Sequence, residues 1–156
     1  MNVVRKVIGV ISDTHGLLRK EVIKQLEDCD LIIHAGDIGK LDVISQLENI
    51  APVKAVRGNV DREEWCLKFP LTEAIEIADT FIYVIHNIDE LDLDPGAAEF
   101  NIVICGHSHK SLVKEIDGVT YLNPGSVGPK RFNLPISLGK IEIGSEINIR
   151  IINIPE

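Results

Sequence analysis

The sequence predicts one α/β domain over residues 1–156, with two packed sheets and helices outside. Three observations carry that expectation. Apolar strand-like runs alternate with amphipathic helical segments through the first third of the chain. The remainder exchanges helical periodicity for strand alternation and two hairpin signals. No linker, repeat or shift in composition divides the chain, and 156 residues are enough for a single core.

The elements follow in order. Val7 to Ser12 reads as a buried strand, and Leu18, Val22, Ile23 and Leu26 then recur at helical spacing with charges opposite. Leu31 to Ile33 makes a second strand ending at HAGD. Leu41 to Ile50 forms a second amphipathic helix with Val43, Ile44 and Leu47 on one side. Val53 to Val56 is a third strand ending at RGNVD. This alternation implies parallel strands joined by helical crossovers. Further on, EAIEIADTFIYVIHN reads as two strands around Ala78 and Asp79, and IVICGHSHK as a buried strand ending in polar residues. Val113 to Ile116 and Val119 to Leu122 flank Asp117-Gly118, a strong hairpin signal. Alternating isoleucines from Ile141 to Ile151 surround Gly144-Ser145 and predict a second hairpin.

Composition narrows the function classes. With 45% hydrophobic and 26% charged residues the chain is globular rather than disordered. No run approaches the roughly 18 uninterrupted apolar residues of a membrane span. The apolar run after Arg5 and Lys6 breaks at Asp13, too soon for a secretory signal, so a cytoplasmic location is expected. Cys29, Cys66 and Cys105 have no paired spacing and read as reduced core residues. A formal net charge of −8 argues against nucleic acid as a partner, but a small anion can still bind where a metal dominates the local field.

The strand ends carry the chemistry. Five strands finish in candidate metal ligands: Asp13 and His15, Asp37, Asn59, His86, and His107 with His109. In parallel α/β sheets such residues converge beyond the carboxyl ends of the strands. Gly16, Gly36, Gly58 and Gly106 adjoin them and permit tight turns. Any one of these residues is an ordinary turn or cap residue; their recurrence at five strand ends points to a site. The donors are imidazole, carboxylate and one amide oxygen, without thiolate, which suits manganese, iron, zinc or related divalent ions. Seven ligands exceed one tetrahedral zinc and suit two ions sharing a carboxylate.

The ordered motifs SDTHG, HAGD, GNVD and GHSH, followed by NPGS, resemble those of the calcineurin-like metallophosphoesterase superfamily, in particular its small YfcE-type phosphodiesterase branch. The resemblance implies a four-layer α/β/β/α sandwich of two packed mixed sheets with helices outside. It implies that Asp13, His15 and His109 hold one ion, that Asn59, His86 and His107 hold the other, and that Asp37 bridges them. It implies a phosphodiesterase rather than a monoesterase, with two divalent ions, Mn most expected and Fe, Ni or Zn as alternatives. A metal-bridging hydroxide would be the nucleophile and a small phosphate ester the substrate. Two ions bring about +4, and Asp13, Asp37 and the hydroxide return about −3, leaving charge for a diester anion. Asn59 could also orient a phosphoryl oxygen.

Two positions depart from the pattern. Val60 stands where larger phosphatases of the superfamily have histidine, so the general acid is unknown, with Asp61 a candidate orienting or turn-capping residue. Asn87 follows His86 where the branch usually has glycine. His34 is expected beneath the site or in the sheet, and Arg62, Lys130 and Arg131 on the surface within reach of an anion. Two alternatives share the fold: a non-catalytic protein-interaction scaffold like the retromer subunit, and a nuclease. A homo-oligomer is compatible with all of these readings.

Overall fold

The computed structural model describes residues 5–155. Two five-stranded mixed sheets pack face to face in an α/β sandwich. In the first sheet β1 (Lys6–Ile11), β2 (Leu31–His34) and β3 (Val53–Ala55) run parallel, with α1 (Lys20–Leu26) and α2 (Leu41–Glu48) as the crossovers. The hairpin of β9 (Ile136–Ile143) and β10 (Ile147–Ile154) adds antiparallel strands on the far side of β1, giving the order β10-β9-β1-β2-β3.

The second sheet holds β4 (Thr72–Ile77), β5 (Thr80–Ile85), β6 (Ile102–Ile104), β7 (Leu112–Ile116) and β8 (Val119–Asn123), in the order β4-β5-β6-β8-β7. Its three central strands are parallel and its two edges antiparallel. All the hairpins stand where the sequence places them. Ala78 and Asp79 both have positive φ (49° and 63°), as do Asp117 and Gly118 (50° and 82°), which is what tight two-residue connections require.

Strand alternation sorts the core into layers. Val7 and Ile11 of β1 face the helices, meeting Val22 and Leu26 of α1 and Val43, Ile44 and Leu47 of α2. Ile8 and Val10 point the other way, into an inter-sheet layer with Ile82, Val84, Ile102, Ile104 and Leu122. Neither helix has a side-chain N-cap, Arg19 and Lys40 occupying those positions, so packing of the apolar stripe holds both in place. Leu18 lies before α1 yet still packs against the same core.

The outer face of the second sheet is covered differently. There a 3₁₀ turn, Ile88–Glu90, and the loop to Phe100 lie over Tyr83, Ile85 and Val103. Among the described residues the α-helices belong to the first sheet alone. No helix is long and apolar enough to cross a membrane. Cys29, Cys66 and Cys105 are buried and unpaired, as expected of core thiols.

Candidate metal centre

The parallel strands of both sheets end at one edge of the sandwich, and the loops beyond them run side by side. The amide of Asp13 donates to the Gly36 carbonyl (2.9 Å), that of His15 to Asp37 (3.0 Å) and that of Gly16 to Ile38 (2.8 Å). The ladder of β1 and β2 thus continues past the strands, and it sets Asp13 and His15 beside Asp37. From the second sheet, the Gly106 amide donates to the His86 carbonyl (2.9 Å) and the His107 amide to Asp13 Oδ2 (3.2 Å). That last bond joins the two sheets at the site.

Six of the seven predicted residues come together in two groups. Ligand atoms of Asp13, His15 and His109 lie within 4.8 Å of one another, and so do those of Asp37, His86 and His107. Asp37 Oδ2 lies 3.2 Å from His86 Nε2 and 3.7 Å from His15 Nε2, between the two groups. Asn59, the seventh, is exposed and lines the same cavity of about 510 Å³ as His86. Its neighbours touch Asp37 directly: the Val60 amide donates to Asp37 Oδ1 (3.2 Å), and a Cβ on Gly58 would collide with that oxygen. Gly106 is equally constrained, because a Cβ there would meet Ser12 Oγ.

The backbone is held in an uncommon conformation at these positions. Asp13, His15, Asp37, His107 and His109 all have left-handed φ, between 46° and 71°. A non-glycine residue in that region costs roughly 1 kcal/mol or more and persists only where its surroundings over-determine it.

Residues outside the seven candidate ligands do the fixing, among them Asp61, which the sequence offers as an orienting or turn-capping residue. Ser12 Oγ donates to Asp13 Oδ2 (2.7 Å), leaving Oδ1 aimed into the site. Asp61 is buried, and its two oxygens accept from the amides of Ile38 (3.0 and 3.1 Å), Gly39 (3.2 Å) and Gly58 (2.8 Å), tying the Asp37 loop to the Asn59 loop. The NPGS segment is a brace. Asn123 Nδ2 donates to the Gly106 carbonyl and Ser108 Oγ (3.0 Å each), and Ser126 Oγ donates to the Asp13 carbonyl (3.2 Å).

His34 lies beneath the centre, fully buried. Its Nδ1 accepts from the Gly36 amide (3.0 Å), so Nε2 carries the hydrogen toward Thr14 Oγ1 (3.0 Å), which donates to the Ile38 carbonyl (2.7 Å). It is a support within the sheet, as expected. Arg62 Nε donates to the Asn59 carbonyl (3.1 Å), while the Arg131 guanidinium acts on His109 through its charge. Arg57 was not anticipated; it lines the cavity with Asn59 and His86, and its Nε is buried without a hydrogen-bond partner among the described residues.

The donor set leaves a charge-shaped deficit. His86 Nδ1 donates to the Ala35 carbonyl (2.7 Å), so in the neutral ring Nε2 presents a lone pair toward Asp37 Oδ2. Asp13 Oδ1, His15 Nε2 and His86 Nε2 are buried without hydrogen-bond partners among the described residues. Converging acceptors require a cation, either protons or metal. The fixed tautomer of His86 matches the outer hydrogen bond that metal-bound imidazoles usually make. Burial pushes the Asp13 carboxyl up to about 6, so ionising it here needs positive charge nearby. Burial pushes Asp37 the same way, but when the His86 ring carries a second proton, on Nε2, the hydrogen bond it donates and its charge outweigh burial and hold the Asp37 carboxyl at about 2. Burial and Arg131 lower His109 to about 4, keeping it neutral.

Comparison with known proteins gives the family. The family model for the calcineurin-like phosphoesterase superfamily domain matches residues 7–146. A probable metallophosphoesterase of Methanocaldococcus jannaschii is 35% identical over 162 aligned residues, covering 96% of this chain and 82% of that protein. A solved structure described as a novel archaeal phosphodiesterase aligns with TM-score 0.77 at 26% identity, over 95% of this chain and 99% of the other. Vacuolar Protein Sorting 29 from Cryptosporidium parvum shares the fold, with TM-score 0.76 at 19% identity over 97% and 99% of the two chains. With the family model spanning nearly its whole length and a relative above 30% identity along most of it, the chain belongs to the calcineurin-like phosphoesterase superfamily.

Proposed function

We propose that the protein is a dinuclear-metal-dependent phosphodiesterase acting on a small phosphate ester. The observation that carries this is the convergence of Asp13 Oδ1, His15 Nε2 and His86 Nε2, buried and without donors, around the Asp37 carboxylate. Asp13, His15 and His109 would hold one ion, and Asn59, His86 and His107 the other, with Asp37 shared between them. The imidazole and oxygen donors suit Mn²⁺, with Fe, Ni and Zn as alternatives. When bound, such ions supply Lewis acidity and make water available as a nucleophile near neutral pH.

The chain's own residues do the rest. Water adds to phosphorus as the bond to the leaving oxygen breaks, yielding a phosphomonoester and an alcohol or phenol. Asn59 orients a phosphoryl oxygen, and Arg57, beside it in the cavity, faces the anion. Val60 has no proton to give. Asp61 is committed to the amides of three residues, so its place is to position the loops. The leaving oxygen therefore departs without a side-chain acid at either position.

The retained set of seven candidate ligands favours an enzyme over the scaffold alternative, which rests on likeness of fold. The net charge of −8 disfavours the nuclease alternative. Unpaired, buried cysteines fit a reducing cytoplasm. The test is hydrolysis of diesters with aryl and alkyl leaving groups by protein shown metal-free by elemental analysis, then reconstituted with each ion in turn. Activity should vanish on chelation and return best with Mn²⁺. Aryl leaving groups should depart about 10² to 10⁴ times faster than alkyl ones, the range a general acid would otherwise supply. Full turnover in metal-free protein would overturn the reading.

A further inference from the structure

The second sheet is only half covered on its outside. The loop after His86 packs over β5, β6 and part of β8, where Val119 and Tyr121 join its cluster, and beyond it β7 is exposed along its length among the described residues. A groove of about 820 Å³ lies between them, within the size range of small-molecule sites. Cys105 and Tyr121 line it from the sheet, and Ile88 and Leu91 from the loop. Leu112 and Ile116 line it from β7; they alternate along the strand and so share its groove-facing side. The groove also includes Gly106, His107 and Ser108, so it is continuous with the metal centre. Lys110 and Lys114 line it too, with Asp89 the acidic residue among them.

We propose that this groove binds an extended hydrocarbon substituent of the phosphodiester substrate, with the phosphate at His107. The inference rests on the phosphodiesterase reading above and adds the substrate class. Lysine stems extend the apolar wall while their ammonium heads favour an anion. The cavity on the other side of His86 is more mixed, setting Arg57, Glu90 and Asp92 beside Leu71 and Ile85, and suits a smaller or more polar second arm of the diester. Asn87 lines both spaces, at the division between the apolar groove and the mixed cavity.

The test uses the Mn²⁺-reconstituted full chain and the methyl, hexyl and decyl esters of p-nitrophenyl phosphate, each kept below its micelle concentration. Water converts each to an alkyl phosphate and p-nitrophenol. From methyl to hexyl, kcat/KM should rise about tenfold or more, mainly through KM, as methylenes leave water. Leu112→Asn with Ile116→Asn should lower the hexyl-to-methyl ratio by about tenfold. Both side chains are well exposed, at 51% and 43%, so the exchange leaves the core intact. Val113→Asn, on the opposite side of the same strand, should leave the ratio unchanged. Calorimetry provides a readout without turnover: decyl phosphate should bind more tightly than methyl phosphate. A flat chain-length dependence with brisk hydrolysis of the methyl ester overturns the groove while leaving the phosphodiesterase. No hydrolysis across the series removes both. If the double substitution dissociates a dimer at unchanged selectivity, the groove belongs to a second copy of the chain and the proposal is overturned.

Discussion

The two halves of the candidate metal centre are built from similar residues and differ in how they are enclosed. In one, Asp13 and His109 are buried and His15 half-buried, and the braces from Ser12, Asn123 and Ser126 reach it from both sheets. In the other, Asp37 and His86 are buried while His107 and Asn59 are exposed, and both cavities open beside it. Their carboxylates are tuned in opposite directions. Burial lifts Asp13 to about 6; contact with His86 outweighs burial and brings Asp37 down to about 2. Both carboxylates thus depend on a nearby cation, which for Asp37 is the protonated His86 ring, and the open half is the one that faces both cavities.

The largest break in this comparison is expected at Asp37, the residue the proposed mechanism has the halves share. Asp37→Ala should empty both and reduce kcat/KM by roughly 10³ or more, since several kcal/mol of transition-state stabilisation would depend on the ions it is proposed to hold. Elemental analysis alongside kinetics checks this. One full-affinity ion remaining in the variant would show that Asp37 belongs to a single half.

Substitutions that spare the shared carboxylate should separate the halves. His86→Ala should thin the open half, and His109→Ala the closed half, each leaving about one ion per chain. A ligand outside the bridge should weaken its own site at least as much as a supporting residue does, about 10- to 100-fold. Metal titration of the two variants measures it. Two ions and unaltered turnover in His86→Ala would remove that residue from the centre.

The last effect, on stability and not on turnover, lies beneath the site. Burial first, and then the nearby His86 charge, bring His34 down to about 3, so the folded protein holds it neutral while the unfolded chain protonates it near 6.5. The unfolded state therefore binds the extra proton between those values. The stability that His34 supplies is complete above about pH 6.5 and declines as pH falls toward 3, by up to about 1.4 kcal/mol per unit. His34→Gln should be less stable than the parent at neutral pH, and the gap should close in that window. Urea denaturation of the two metal-free proteins across pH provides the measurement, and a constant gap would show that His34 is not held neutral.

The closed half was the more legible of the two in sequence. Asp13-Thr14-His15 and His107-Ser108-His109 are local patterns at the ends of apolar strands, so their chemistry shows at short range. His86 was legible only as a strand-end histidine; its fixed tautomer depends on Ala35, fifty-one positions away. Asp61 illustrates the same limit. As a residue in RGNVD it was a candidate for several roles, and only its bonds to Ile38, Gly39 and Gly58 reveal a clamp between two loops. Arg57 lay in the same stretch and carried no signal, because an arginine after a strand is usually solvated.

What the sequence alone determined is the part written in short-range pattern. Period-2 and period-3.6 apolarity defined the strands and helices, paired turn residues set the hairpins, and the placement of ligand-type residues after strands marked the centre. What only the tertiary structure decided is set by contacts between distant segments. Sheet order, the position of Asp37 between two groups, the left-handed backbone at five candidate ligands and the exposed groove beside His107 all depend on how the two sheets meet. The physical reason is one of range. Local preference acts over a few residues, whereas burial, desolvation and the pairing of buried charge are properties of neighbours that the chain brings together only by folding.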